Sequence, residues 1–177
     1  VNYFQPEIIL ELGTSLGIPT AYLAKAKPNA TVTTMEGSAA IAEIAKQQFH
    51  ELQLSNINMV TGNFDETLEM VIDKTEQPFN FVFIDGNHRK EPTLRYFDQL
   101  LTKADHDTVF VFDDIHWSKE MEEAWEELKQ HASVTLTIDL FFIGLVFFRK
   151  EFKEKQEFAK HQRIEQPKPP LLIHEYL

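Results

Sequence analysis

Two polar clusters in this chain carry residue types that do chemistry near neutral pH. Asp85-Gly86-Asn87-His88 follows one apolar run and Asp113-Asp114-Ile115-His116 follows another. A histidine can take a proton from a substrate near neutrality. Asp85, Asp113 and Asp114, at the ends of adjacent strands, would bring three carboxylates into a small volume, where they repel one another unless a cation or a proton intervenes. Oxygen-only ligands of this kind suit Mg²⁺ or a similarly hard ion. The competing explanation is that the acids after the second run cap the helix that follows.

A third cluster is built to bind. The apolar run Ile8-Ile9-Leu10-Glu11-Leu12 leads into Gly13-Thr14-Ser15-Leu16-Gly17. There Gly13 lets the chain turn sharply and Gly17 lets the next helix pack close to a sheet. Glu36 ends the next apolar stretch, where a carboxylate can accept hydrogen bonds from both hydroxyls of a ribose. Its alternative is to cap the following helix, for which Ser38 is the better candidate. A dinucleotide is disfavoured, because the segment lacks the third glycine of Gly-x-Gly-x-x-Gly.

Placing these groups together requires an open sheet whose strands end on one edge. Apolar strand-like runs alternate with helical periodicity to about residue 131, the pattern of a parallel sheet with crossover helices. Pro19 starts a helix through about Lys27; Thr31–Glu36 is the second strand; Ser38 caps a helix carrying Ile41, Ile44, Ala45, Phe49 and Leu52. Ile57–Val60, Phe79–Ile84 and Val109–Phe112 are the next strands, separated by helical faces at Leu68, Val71 and Ile72 and, after Pro92, at Leu94, Phe97, Leu100 and Leu101. Ser118 caps a helix with Met121, Ala124, Trp125 and Leu128 inward. Val134–Leu140 and Ile143–Phe148 are too close for a crossover helix and should pair antiparallel. Residues 151–163 are expected to form a charged helix, and Gln166–Pro170 an extended proline-rich tail.

The bulk composition narrows the function. With 177 residues, 43% hydrophobic and 25% charged, the chain is an ordinary globular protein of one domain over 1–150 plus the tail of 151–177. A net charge of −11 argues against a phosphate-backbone partner, so no nucleic acid is expected. No run approaches the roughly 20 apolar residues that span a bilayer, so no membrane is expected either. The absence of cysteine removes thiol chemistry and fits a cytoplasmic setting. The chain begins with Val1, and an upstream segment is expected to be missing.

The order Glu-Leu-Gly-x-x-x-Gly, an acidic end to the second strand, Gly-Asn-Phe, Ile-Asp-Gly-Asn-His and Phe-Asp-Asp-Ile resembles class I S-adenosylmethionine-dependent methyltransferases, over about residues 7–149. Within these it is most similar to the small-molecule O-methyltransferases of the catechol and caffeoyl-CoA type. The resemblance implies an α/β, Rossmann-like, doubly wound and mostly parallel seven-stranded sheet ending in an antiparallel hairpin, with S-adenosylmethionine as cofactor and a small-molecule hydroxyl as methyl acceptor. It places Glu11, Gly13, Thr14, Ser15 and Gly17 along the methionine and ribose part of the cofactor. Glu36 takes the ribose hydroxyls, Gly37 and Ser38 flank it, and Asn63 and Phe64 meet the adenine. Asp85 holds the cofactor and, with Asp113 and Asp114, a divalent metal; the family has asparagine where this chain has Asp114. His88 stands where the catechol-type enzymes have a basic lysine, and His116 and Trp117 are weaker candidates for the acceptor pocket.

The rival readings are a methyltransferase-like module that binds cofactor or protein without catalysis, and a nicotinamide-dependent oxidoreductase, which the final hairpin and short glycine motif oppose. The Phe141–Phe148 run, if partly exposed, is a candidate homodimer surface.

Overall fold

A computed structural model describes residues 1–159. Five parallel strands, β1 (Ile8–Leu12), β2 (Thr31–Glu36), β3 (Ile57–Thr61), β4 (Phe81–Ile84) and β5 (Val109–Asp113), alternate with α1 (Ile18–Ala26), α2 (Ala39–Glu51), α3 (Phe64–Lys74), α4 (Lys90–Leu101) and α5 (Lys119–Gln130). Then come β6 (Leu136–Asp139), β7 (Ile143–Phe147) and β8 (Gln156–Ala159). The sheet order is β3-β2-β1-β4-β5-β7-β6-β8, with β7 antiparallel to both β5 and β6. The direction of winding reverses between β1 and β4, which is where open α/β sheets bind their ligands.

The central strands are apolar on both sides because helices cover both faces. Leu10, Val82, Phe110 and Phe112 pack against Leu68, Phe97 and Trp125 of α3, α4 and α5, while Ile9, Val32, Phe81 and Val109 face Leu23 and Ala24 of α1. The four buried side chains of α5 are the expected Met121, Ala124, Trp125 and Leu128. Ser38 and Ser118 accept hydrogen bonds from the amides of Ile41 and Met121, capping α2 and α5 as their sequences require.

Among the described residues the sheet has eight strands rather than seven, and the correction lies at residues 151–159. No helix forms there; residues 156–159 instead pair in parallel with β6, Leu136 opposite Gln156 and Asp139 opposite Ala159. Two local demands outweigh the helical composition. The outer edge of β6 has unpaired backbone groups that β8 satisfies, and the Lys155 ammonium donates to the carbonyls of Lys129 and His131 at the end of α5. The remainder of the expected charged helix and the proline-rich tail lie outside the described residues.

The Phe141–Phe148 run is partly exposed. Val146 is fully buried and Phe147 nearly so, Phe148 packs into the core, and Phe142 is the well-exposed aromatic of the run at 62%. Phe141, Ile143 and Leu145 are half-buried. No helix among the described residues is long and apolar enough to cross a membrane.

Candidate active site

The loops after β1, β4 and β5 and the turn between β6 and β7 each hold a non-glycine residue in the left-handed region: Ser15 (φ 49°), Asn87 (62°), Asp114 (55°) and Phe141 (80°). Such backbone is costly for L residues and tends to gather where geometry serves a site. These loops border the sheet edge at which the sequence places its polar clusters.

Gly13 turns the chain out of β1 with φ 103°, and its amide and that of Thr14 donate to the Met35 carbonyl of β2. A side chain there would strike the Asp85 carbonyl oxygen at 1.9 Å, so the β1 and β4 loops touch across the switch point. Gly17 opens α1 with its α-carbon against the ring of Phe49, as close helix packing requires.

Glu36 closes this loop from the side. Its Oε2 accepts from the Ser15 amide and its Oε1 from the Ser38 amide, each at 2.9 Å. The half-buried carboxylate thus fixes the glycine loop and the start of α2 together, and each oxygen keeps a lone pair for a further donor. Beside it, Gly37, Asn63, Phe64, Asp65, Asn87 and Tyr96 line an open hollow of about 420 Å³. Asn63 caps α3 by accepting from the Asp65 amide, and Phe64 meets Tyr96 edge to face at 6.0 Å. The Tyr96 hydroxyl donates to Asp65 at 2.6 Å and accepts from Asn87 at 3.0 Å. This tie between α3, α4 and the β4 loop joins residues up to 31 positions apart, and no local signal announces it.

Glu11 is completely buried under the glycine loop. Its Oε2 accepts from the hydroxyls of Thr20 and Thr34, and Thr34 in turn hydrogen-bonds Thr14 at 2.6 Å. Its other oxygen, Oε1, is buried without a partner. Burial pushes the carboxyl up to about 7, against the two threonine hydrogen bonds and with the charge of Asp85 adding to the rise. A buried acid raised in this way stabilises the fold fully below its unfolded value, and that contribution is lost as pH climbs through 7. Glu11→Gln is therefore expected to be more stable than the parent by on the order of 2 kcal/mol at pH 8. It should show no such advantage at pH 5, as urea unfolding at the two pH values would reveal.

On the β4 side, His88 Nε2 lies 3.5 Å from Asp85 Oδ1, and both residues are half-buried. The hydrogen bond to Asp85 raises the imidazole above its ordinary value; burial opposes this, and the charges of Asp85, Asp114 and Asp113 add to it. Asp113 is itself raised, by burial first and then by the charges of Asp85 and Asp114. Among the described residues, no group of three or more His, Asp or Glu side chains stands ready-arranged to hold a metal ion, while Asp85 and Asp113 interact directly across the ends of β4 and β5. Asp85 also faces the His88 imidazole, and Asp114 sits on left-handed backbone past the end of β5.

His116 belongs to a separate cluster. Its Nε2 is 2.9 Å from Asp139 Oδ2, which also accepts from the Trp125 indole at 3.1 Å, while Asp139 Oδ1 accepts from the Phe141 amide at 2.8 Å. Burial works against it, but the Phe141 amide and then His116 hold the Asp139 carboxyl below its usual range. This cluster braces the β6–β7 turn against α5, and Trp117 beside it is 73% exposed.

The residues present fit an S-adenosyl cofactor on three counts. The glycine loop leaves room where a side chain would clash, Glu36 is fixed at the edge of the hollow, and Glu11 has a buried oxygen without a partner.

The sequence model of a methyltransferase domain family matches residues 10–115. A catechol O-methyltransferase from Niastella koreensis is 31% identical over 113 residues, covering 63% of this chain and 50% of the relative; the match thus spans about half the length of that protein. Among solved structures, the O-methyltransferase TomG from Streptomyces achromogenes, in complex with SAM, superimposes with a TM-score of 0.72 at 23% identity, over 84% of this chain and 75% of its own. An O-methyltransferase from Bacillus cereus in complex with SAH gives 0.71 at 24% identity, over 83% and 76%. The matched residues run from β1 to just past β5, through the glycine loop, Glu36 and Asp85, and on that ground the chain belongs to the methyltransferase domain family.

Proposed function

We propose that the protein transfers a methyl group from S-adenosylmethionine to the hydroxyl of a small molecule. The observation that carries this reading is the meeting of the glycine loop, Glu36 and the Asp85–His88 pair on one edge of the sheet, around the switch point between β1 and β4. The catechol O-methyltransferase relative supports the choice of a hydroxyl acceptor.

Bound S-adenosylmethionine would supply an electrophilic methyl group for in-line displacement, so the protein has to hold donor and acceptor in line and remove a proton. Glu36 would receive the ribose hydroxyls while keeping the loop closed, with Gly37 and Ser38 flanking it. Asn63 and Phe64 would border the adenine, and the loop from Gly13 to Gly17, with Thr14 and Ser15, would border the methionine part. Asp85 beside Nε2 of His88 favours the tautomer with its hydrogen on that nitrogen, which leaves Nδ1 free to accept the acceptor's proton. The carboxylates around the histidine also suit a positively charged donor. No step is routed through a metal; Asp85, Asp113 and Asp114 are the residues that would hold a hard divalent ion, which would orient the acceptor hydroxyl. The cysteine-free composition is in keeping with action in the cytoplasm.

His88→Ala should lower kcat by roughly a hundredfold while S-adenosylhomocysteine affinity stays within about twofold of the parent. Radiolabelled methyl transfer to a panel of hydroxylated small molecules, together with calorimetry, measures both. Because the Asp85 pairing raises the imidazole, activity should already fall off at a pH above the ordinary histidine value, as the protonated base accumulates. Full activity in the His88 variant would remove the histidine from the mechanism.

A second reading, a module that binds the cofactor without turnover, draws on the match covering 50% of the relative. Binding of S-adenosylhomocysteine with no transfer to any acceptor would favour it.

A further inference from the structure

We propose that Glu11 is the proton-linked anchor of the cofactor site: it carries a proton in the ligand-free protein at neutral pH and below, and it ionises when a cationic S-adenosyl ligand enters, so that binding releases a proton to solvent. The inference rests on the cofactor reading above and goes beyond it, since it adds a stoichiometry and a pH dependence.

The geometry leaves Glu11 half satisfied. Strand register sets it opposite Thr34 of β2, and the third residue of α1, Thr20, covers it from above. Both hydroxyls donate to the same oxygen, Oε2. Because Thr34 spends its hydrogen on Glu11, Thr14 must donate to Thr34, so the hydroxyls of the cluster are used up in one chain that ends on Oε2. Oε1 receives nothing. An ionised carboxylate with one bare oxygen in a dry site is unfavourable, whereas a neutral acid there is tolerated.

The groups around it leave this choice open to a ligand. From α1 it meets Thr20 and from β2 Thr34, and Thr14, which donates to Thr34, lies 3.6 Å from the Met59 sulfur of β3; all are neutral. From the β4 side the charge acting on it is that of Asp85, which disfavours ionisation. Burial together with that charge puts its titration at about 7, where a modest change in field decides its state. A ligand bearing an ammonium, and in the methyl donor a sulfonium as well, brings to the glycine loop the positive charge that this environment lacks.

The test is calorimetry of S-adenosylhomocysteine binding to the full chain from pH 6 to pH 9, in buffers of different ionisation enthalpy. The parent should release about half a proton per ligand at pH 7 and almost none at pH 9, and its Kd should fall roughly tenfold from pH 6 to pH 8 as the ionised fraction grows. In Glu11→Gln the Glu11-dependent release should vanish, and subtraction removes any contribution from His88 or Asp113. Thr20→Val, which takes one donor away from the ionised form, should move the release profile to higher pH, an independent check on the same carboxyl. Binding whose proton count is the same in the parent and both variants would overturn the inference and leave the cofactor reading standing. Absence of S-adenosylhomocysteine binding at every pH would overturn both.

Discussion

Gly13→Ala is expected to destabilise the protein by more than about 4 kcal/mol, which for a domain of ordinary stability is enough to abolish cooperative unfolding. Two independent effects combine. The backbone at Gly13 has φ 103°, a conformation that strains any side chain. The added methyl would also lie 1.9 Å from the Asp85 carbonyl oxygen and 2.7 Å from its carbonyl carbon. These atoms are backbone, and the Asp85 amide is tied to the Leu12 carbonyl at 2.8 Å, so the obstacle cannot rotate away as a side-chain tip would. Gly37→Ala is the control, because nothing lies within 4 Å of its position and its φ is not in the left-handed region. It should cost less than about 1 kcal/mol. Urea unfolding of both variants checks the pair; a parent-like midpoint for Gly13→Ala would mean that the β1 and β4 loops are not held together at the switch point.

Glu36→Ala should weaken S-adenosylhomocysteine binding by roughly a hundredfold or more, about 3 kcal/mol, while the protein still unfolds cooperatively. The loss has two sources. The ribose hydroxyls would have no carboxylate to donate to, and the Ser15 and Ser38 amides would lose the acceptors that pre-form the loop. The Ser15 and Ser38 side of the cluster is exposed or half-buried, so water can replace those two acceptors in the unliganded protein, and the fold is affected far less than the binding. Calorimetry of the variant against the parent measures the effect. Unchanged affinity in a folded Glu36→Ala protein would take Glu36 out of the binding site.

The core of this arrangement was legible because its signals are local. Buried parallel strands have to be apolar throughout, so β1, β4 and β5 announce themselves, and α5 shows its inward face by the spacing of Met121, Ala124, Trp125 and Leu128. The glycine loop was legible for the same reason: a turn with positive φ leaves few choices of residue. Residues 151–159 were not legible as a strand, because their pairing depends on the free edge of β6 rather than on their own composition. The carboxylates at the ends of β4 and β5 were correctly placed on the same edge, but proximity in topology does not fix side-chain direction. Whether three acids form a ligand group depends on rotamers and on rivals such as His88, which claims Asp85.

The amino-acid sequence by itself determined the order of elements, the edge on which the polar residues gather, and the identity of Glu36 as the acid closing the second strand, since these follow from periodicity and from what a chain can do next to a glycine. Tertiary structure alone decided that Glu11 is surrounded by Thr14, Thr20 and Thr34, that His116 serves Asp139 and Trp125, and that the last described strand completes the sheet. Those outcomes turn on burial and on partners drawn from distant segments. The state of a carboxyl group is set by the dielectric and the donors around it, and these exist only once the chain has closed over it.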